Sequence, residues 1–274
     1  MNFVEDLTIT SLDEIRVFDI ATGDYKFTLD ELQDATISNT EDKIDIIGRA
    51  GRKLSTIKRN KAVTITGTNG MLSTGLMGVQ TGTDVETSNA IDVDWAETLD
   101  INSSNVATLT KTPKNGTVDK VYLLDKHGVI SGNALTLTDS TLSTGKYKLT
   151  NDGGTISITF FADDIAALDD DEYTTVNAAV FYTRSVAGSK VKNTDEISDK
   201  KYSMYIDGTA ENKCGEQFRI QFHIPKASFS GNFDIALGGD QVVHAFEVDA
   251  LAGGCNGKSD FWNYVVFGET AANA

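Results

Sequence analysis

The chain has 274 residues, 40% of them hydrophobic, and carries 40 acidic against 24 basic side chains for a net charge of −16. That length and apolar content build a sizeable core in one or two domains, while so acidic a body repels nucleic acid and keeps the monomer soluble. No apolar run approaches the roughly 20 residues that span a bilayer.

The opening MNFVEDLTITSLDEI lacks the basic region and apolar core of a secretory signal, so we expect a soluble protein made in a cytoplasm. The triplets Asn102-Ser103-Ser104 and Asn115-Gly116-Thr117 then carry no weight as glycosylation sites. Cys214 and Cys255 have no CxxC spacing for zinc and read as free thiols, with a bridge possible only at a Cα separation within about 7 Å.

IRVFDI-ATGD-YKFTL predicts a hairpin, with Val17 and Phe18 leading in and Tyr25 and Phe27 leading out. The polar stretch from about 40 to 60, too long for a tight turn, is a long loop or an extended hairpin arm. Between Glu41 and Lys61 seven cations (Lys43, Arg49, Arg52, Lys53, Lys58, Arg59, Lys61) face only three acids. On charge alone this is either a contact for an acidic partner or a solvated loop.

AVTITG predicts a strand, and TNG opens a helix over about 70–80 with Leu72, Leu76 and Val79 on one face and Thr68 or Asn69 as its cap. From Gly82 to about Asp100 the acidic, base-free stretch reads as a connection. Short strands with turns KNG, KHG and NDGG then describe a small β-sandwich over 101–186, followed by the polar linker SVAGSKVKNTDEISDK.

Strands resume at KKYSMYIDG and lead into three alternating runs. QFRIQFHI alternates Phe218, Ile220, Phe222 and Ile224 with Gln217, Arg219, Gln221 and His223. After a turn at Pro225, FSGNFDIAL sets Phe229, Phe233, Ile235 and Leu237 against Ser230, Asn232 and Asp234; after a GGD turn, VVHAFEVDA sets Phe246 and Val248 against Glu247 and Asp249. Because side chains on a strand alternate between faces, we expect an antiparallel meander with one dry and one wet face. The whole is one mainly β domain built from 1–100 and 187–274, with an immunoglobulin-like β-sandwich, 101–186, inserted in it.

Catalytic and ligand chemistry finds little support. TGTNGMLSTGLMG lacks both the P-loop Lys-Ser/Thr and GxGxxG spacing, so its glycines read as sites of close backbone approach. The cluster Asp163, Asp164, Asp169, Asp170, Asp171 and Glu172 does not match an EF-hand and reads as a solvated turn. His223 and His244 fall on opposite faces, which disfavours a shared metal, and His127 sits in an exposed turn. No nucleophile elbow occurs, and nothing marks the carboxylate pair of a glycosidase. We expect no enzyme, no cofactor and no metal.

KAVTITGTNGMLSTGLMGVQTG, KYSMYIDGTAENKCGEQFRIQFHIPKASFSGNFDIAL and HAFEVDALAGGCNGKSDFWNYVVFG together resemble the major tail tube proteins of long-tailed bacteriophages, over most of the chain outside the insert and in the same order. The insert, from ATLTKTP to VFYTR, looks like the decorating β-sandwich that some of these proteins carry.

The resemblance implies a tail-tube-type β-sandwich with one short flanking helix. It further implies homohexameric rings stacked into a hollow tube, without catalytic residues, located in the phage tail and assembled in the host cytoplasm. The implied partners are tape measure, tail tip and terminator proteins, with duplex DNA in transit and no membrane insertion.

Under that resemblance Arg49, Arg52, Lys53, Lys58 and Arg59 are the candidate inter-subunit contacts, and Asn232, Asp234, Glu247 and Asp249 the candidate lumen lining. The alternative is a virion decoration or receptor-binding β-protein.

Overall fold

A computed structural model describes residues 6–125, 127–168, 176–195, 197–235, 243–253 and 260–268. Leu237, the GGD turn at 238–240, the acids 169–172 and Cys255 lie outside the described residues.

In chain order the first elements are β1 (Leu7–Asp19), β2 (Tyr25–Leu29), β3 (Leu32–Ile47), β4 (Lys53–Asn69) and helix α1 (Thr74–Thr81). There follow β5 (Glu86–Asp100), β6 (Val106–Thr108), β7 (Lys120–Leu124), β8 (Ile130–Ser131), β9 (Thr136–Leu137), β10 (Lys146–Asp152), β11 (Thr155–Phe160), helix α2 (Ala162–Ala166) and β12 (Asn177–Lys190). The last are β13 (Tyr202–Asn212), β14 (Gln217–Phe229), β15 (His244–Ala250) and β16 (Asn263–Phe267). The fold is mainly β, in two compact units: Met1–Glu86 with Lys190–Ala274, and Thr87–Ser189.

The first unit holds an eight-stranded sheet in the order β2-β1-β13-β14-β15-β4-β3, with β16 beside β14. β2 and β3 stand at opposite ends of that order, yet only Asp30 and Glu31 join them. A link so short reaches about 10 Å, so the sheet must curl until its ends meet. Inside lie Ile15, Val17, Phe27, Leu29, Ile65, Met204, Ile206, Ile224, Phe246 and Val248, together with Leu76 from α1. The first hairpin forms as expected, pairing Ile15 with Leu29 and Val17 with Phe27.

Helix α1 starts later than the sequence suggests. Ser73 caps it, accepting a 3.2 Å hydrogen bond from the Leu76 amide, whereas Thr68 and Asn69 belong to β4. Leu72 therefore precedes the helix and is exposed. Gly82 ends it at φ 74°, a left-handed conformation that glycine adopts without a side-chain clash. The glycines here do permit close approach. A Cβ on Gly75 would lie 2.5 Å from that of Phe27, and one on Gly67 would lie 2.6 Å from both the Asp34 carbonyl and the Phe246 ring.

The expected three-strand meander is corrected. β14 does not turn at Pro225 but runs through it, pairing with β13. Met204 opposite Ile224 and then Tyr202 opposite Ala227 leave Ser203 facing both Pro225 and Lys226. That bulge accommodates a residue without an N–H. On its other edge β14 meets β16 over Arg219–His223 and β15 over Ala227–Phe229. Between Phe229 and β15 the described residues form no strand, only a bridge between Ile235 and His244, so Asn232 and Asp234 lie on a loop.

The second unit packs two four-stranded sheets, β6-β11-β10-β9 and β5-β12-β7-β8. They enclose Leu99, Val121, Leu123, Tyr147, Ile156, Ile158, Phe160, Ala178, Val180 and Tyr182. Two stretches expected to be irregular are strand: the acidic connection is β5, and 185–190 of the polar linker extends β12. Their contacts show why, running antiparallel from Tyr182 donating to Glu97, through Ser185 Oγ to Asp92 at 3.4 Å, to Thr87 Oγ1 and Ser189 Oγ 3.1 Å apart. Each lends the other the backbone partners that its polar composition does not announce. NDGG makes the expected tight turn, with Gly153 and Gly154 at positive φ between the paired Asp152 and Thr155. Asp163 and Asp164 occupy the first turn of α2, a second helix rather than a plain turn, where negative charge suits the helix dipole.

Candidate functional site

Two surfaces of the first unit stand out, and both are built on β3 and β4. The cation-rich stretch is an arm: β3 and β4 stay paired beyond the sheet, Asp42 with Arg59, Lys43 with Lys58, Ile44 with Ile57 and Ile46 with Ser55. At its base Thr40 pairs with Ala62 and then Asp42 with Arg59, a bulge that Asn60 relieves at φ 54°.

The apolar phase switches along β3. Ala35 and Ile37, at odd positions, face the core at the root, whereas in the arm Ile44 and Ile46 stand at even positions. Ile44, Ile46 and Ile57 are thus aimed away from their own core, with exposures of 38%, 43% and 50%. Sequence reasoning passed over these isoleucines; the phase change in LQDATISNTEDKIDII was the signal that could have found them.

The opposite face of the arm carries the lysines, largely matched within the arm. Lys58 lies 2.8 Å and Lys43 3.6 Å from Glu41, and Lys53 lies 2.7 Å from Asp45. The hydrogen bond from Lys58 holds the Glu41 carboxyl below its ordinary range, and that from Lys53 does the same for Asp45. Of the five candidate contact cations, Lys53 and Lys58 are engaged in this way. Arg49 and Arg52 flank the tip, Arg59 stands beside Ile57, and none of the three forms an ion pair among the described residues.

The second surface is the wet face of β15, β4 and β3. Glu247 and Asp249 point outward between the buried Phe246, Val248 and Ala250, as alternation predicts. Glu247 lies opposite Thr66, and Thr66 opposite Thr36; Asp249 lies opposite Thr64, and Thr64 opposite Ser38. Threonines donate to the acids: Thr64 Oγ1 to Asp249 at 3.1 Å and Thr68 Oγ1 to Asp34 at 2.6 Å.

The loop carrying Asn232 and Asp234 is tied to β15 by the Ser230 amide, 2.8 Å from the Glu247 carbonyl. Asn232, Asp234, Glu247 and Asp34 thereby line one open groove of about 660 Å³. The groove joins three of the four candidate lining residues; Asp249 stands farther along the same face. Asp34 was missed, although QDATIS alternates as cleanly as the rest.

Elsewhere on the sheet, two acids have arginine partners. Arg16 pairs with Asp207 and Arg219 with Asp13, while Gln221 donates to Asp207 at 2.7 Å. None of Asp34, Asp234, Glu247 and Asp249 forms an ion pair among the described residues. The acidic face therefore gathers four carboxylates without an ion-pair partner among the described residues.

The histidines serve structure. His244 is fully buried, its Nε2 2.7 Å from Gln80 Oε1 and its Nδ1 accepting from the Ser73 amide at 3.5 Å, which joins α1 to β15. His223 stacks on Tyr205 at 4.2 Å and lies 3.0 Å from Ser203 Oγ. Burial lowers the pKa of both. Cys214 is exposed in the turn between β13 and β14. No helix among the described residues is long and apolar enough to cross a membrane.

No curated protein matches the chain. The family model of the YomU/Tube protein family matches residues 7–265, nearly the whole length, and the chain belongs to that family.

Proposed function

We propose that this protein is the structural subunit of a phage tail tube. Subunits close into rings, six to a ring by the resemblance of the sequence, and the rings stack into a hollow conduit through which DNA passes into the host. The arm carries this proposal. A two-stranded ribbon alone is marginal in water, and this one turns three isoleucines to solvent on one face. A neighbouring subunit or ring that covers that face supplies what the monomer lacks. Such stacking is heterologous and open-ended, so it yields a filament.

The acidic, threonine-rich face suits a lumen. Every phosphate contact adds salt-dependent affinity, so a wall of uncompensated carboxylates lets a polyanion slide without sticking. Arg49, Arg52 and Arg59 are assigned to an acidic protein neighbour, not to DNA. Tape measure, tail tip and terminator proteins are the further partners in the virion.

Negative-stain microscopy of the purified protein at rising concentration tests the proposal. Open tubes of uniform diameter support it. Protein that stays monomeric even when seeded sinks it, and discrete closed particles favour a decoration or receptor-binding protein instead.

A further inference from the structure

The end of the β3–β4 hairpin opposite the arm carries a surface that its own subunit leaves open. There β3 begins at Leu32, paired with Asn69 at the close of β4, and the chain turns through Gly70, Met71 and Leu72 toward α1. The turn is firmly held: the Gly70 amide lies 2.8 Å from the Glu31 carbonyl, Asn69 Nδ2 donates to the Met71 carbonyl at 2.6 Å, and Ser73 caps the helix. Met71, at 60%, and Leu72 are nevertheless exposed. Beside them stand the exposed Asp30 and Glu31, neither in an ion pair among the described residues.

The tip of the arm is the chemical complement of that junction. Ile47 and Leu54 are 64% and 63% exposed, and between them in the chain Arg49 and Arg52 form no ion pair among the described residues. β3 has 16 residues, so at about 3.3 Å per residue tip and junction stand roughly 50 Å apart along the strand. A subunit therefore cannot lay its own tip on its own junction.

We propose that the arm tip of one copy docks on the β3–α1 junction of the next, with Ile47 and Leu54 against Met71 and Leu72, and Arg49 and Arg52 meeting Asp30 and Glu31. Contact of the two ends removes both apolar pairs from water. The arginines donate to carboxylates that lack another charged partner, in the fork geometry that suits such pairs. Met71, unbranched and adaptable, follows the shape of whatever it meets. Tip and junction are different surfaces at opposite ends of one hairpin, so the contact is heterologous and every copy offers a free end to another. Duplex DNA would satisfy the arginines but leave all four apolar side chains in water. This docking rests on the tube reading and names the surface that receives the arm.

The test uses the full chain with Cys214 and Cys255 replaced by serine. In a Leu54→Cys, Met71→Cys double variant, docking brings cysteines of successive copies within the Cα separation of about 7 Å that a disulfide spans. Oxidised tubes should then run on a denaturing gel as a ladder of dimers, trimers and longer chains. Placing the second cysteine at the exposed Ile9 instead should abolish the ladder. A further variant reads charge alone: Asp30→Arg with Glu31→Arg should raise the concentration needed for tubes roughly tenfold, with circular dichroism unchanged. Adding Arg49→Glu and Arg52→Glu to it should restore assembly. Tubes without the ladder, a lone cross-linked dimer, or a charge reversal that leaves assembly unchanged would each overturn the docking alone. Wild-type protein that forms no tubes overturns the tube reading itself, and the docking with it.

Discussion

The two ends of the β3–β4 hairpin are chemically continuous but physically unlike. At the root, Val63 and Ile65 are buried and the strand lies between β3 and β15. Past the bulge at Asn60 the same two strands pair only with each other among the described residues, and Ile57 is half exposed. The root is held by its own subunit's core and the arm by one ladder of hydrogen bonds. An equivalent isoleucine therefore stabilises the fold at one end and is available to a neighbour at the other.

The largest expected effect breaks this contrast at the root. Ile65→Ala should cost about 2–5 kcal/mol of unfolding free energy through the lost burial and the cavity. Ile57→Ala should stay within about 0.5 kcal/mol. Urea denaturation of both variants decides it, and comparable losses would mean that the arm packs on its own subunit.

The next effect appears in assembly, not stability. Reversing Arg49, Arg52 and Arg59 to glutamate should leave a folded monomer that forms few tubes. A lone exposed pair contributes only about 0–1 kcal/mol, so a single reversal shows little, while three repeated around every ring show a great deal. Lys53 is a poorer probe, because its reversal also sets two acids together beside Asp45. Normal tubes from the triple variant, with wild-type protein retarding duplex DNA in a gel, would reassign the arm to DNA.

A smaller effect sharpens the picture of the root, where His244 on β15 joins α1. Both states are neutral well above the ordinary value of 6.5. As pH falls through that value the unfolded chain takes up protons while the buried imidazoles of His244 and His223 resist, so stability falls with pH. The slope is at most about 1.4 kcal/mol per pH unit for each histidine. Thermal midpoints between pH 7.5 and 5.5 should decline, and His244→Gln should flatten the decline; an unchanged slope in that variant removes His244 from the account.

The least effect is expected from removing the second unit. Each unit has its own core, and the unit's first and last strands meet at Thr87 and Ser189. A short flexible link from Glu86 to Lys190 should leave tube formation intact. A deleted protein that is unfolded by circular dichroism would show that the units depend on each other.

How much was legible differs by kind of feature. The first hairpin, the outward Glu247 and Asp249, the glycine contacts and the NDGG turn all follow from periodicity or turn chemistry within a few residues. The arm was legible as one of two options, and its apolar phase change stood in the sequence unread. β5 was not legible: an acidic stretch becomes a strand because β12, some ninety residues on, pairs with it. Pro225 signals a turn in any local reading, yet a bulge opposite Ser203 carries the strand past it.

The sequence by itself determined the β class, the faces of most strands and the uneven charge, because a two-residue alternation and a net charge need no partner to be defined. Only the tertiary structure decided that β14 meets three strands, that Asp34 joins Asn232, Asp234 and Glu247 at one groove, and that Tyr122 and Phe181 from separate strands meet edge to face. Neighbours across a sheet are chosen by hydrogen-bond ladders and core packing between residues far apart in the chain, and no local pattern encodes that choice.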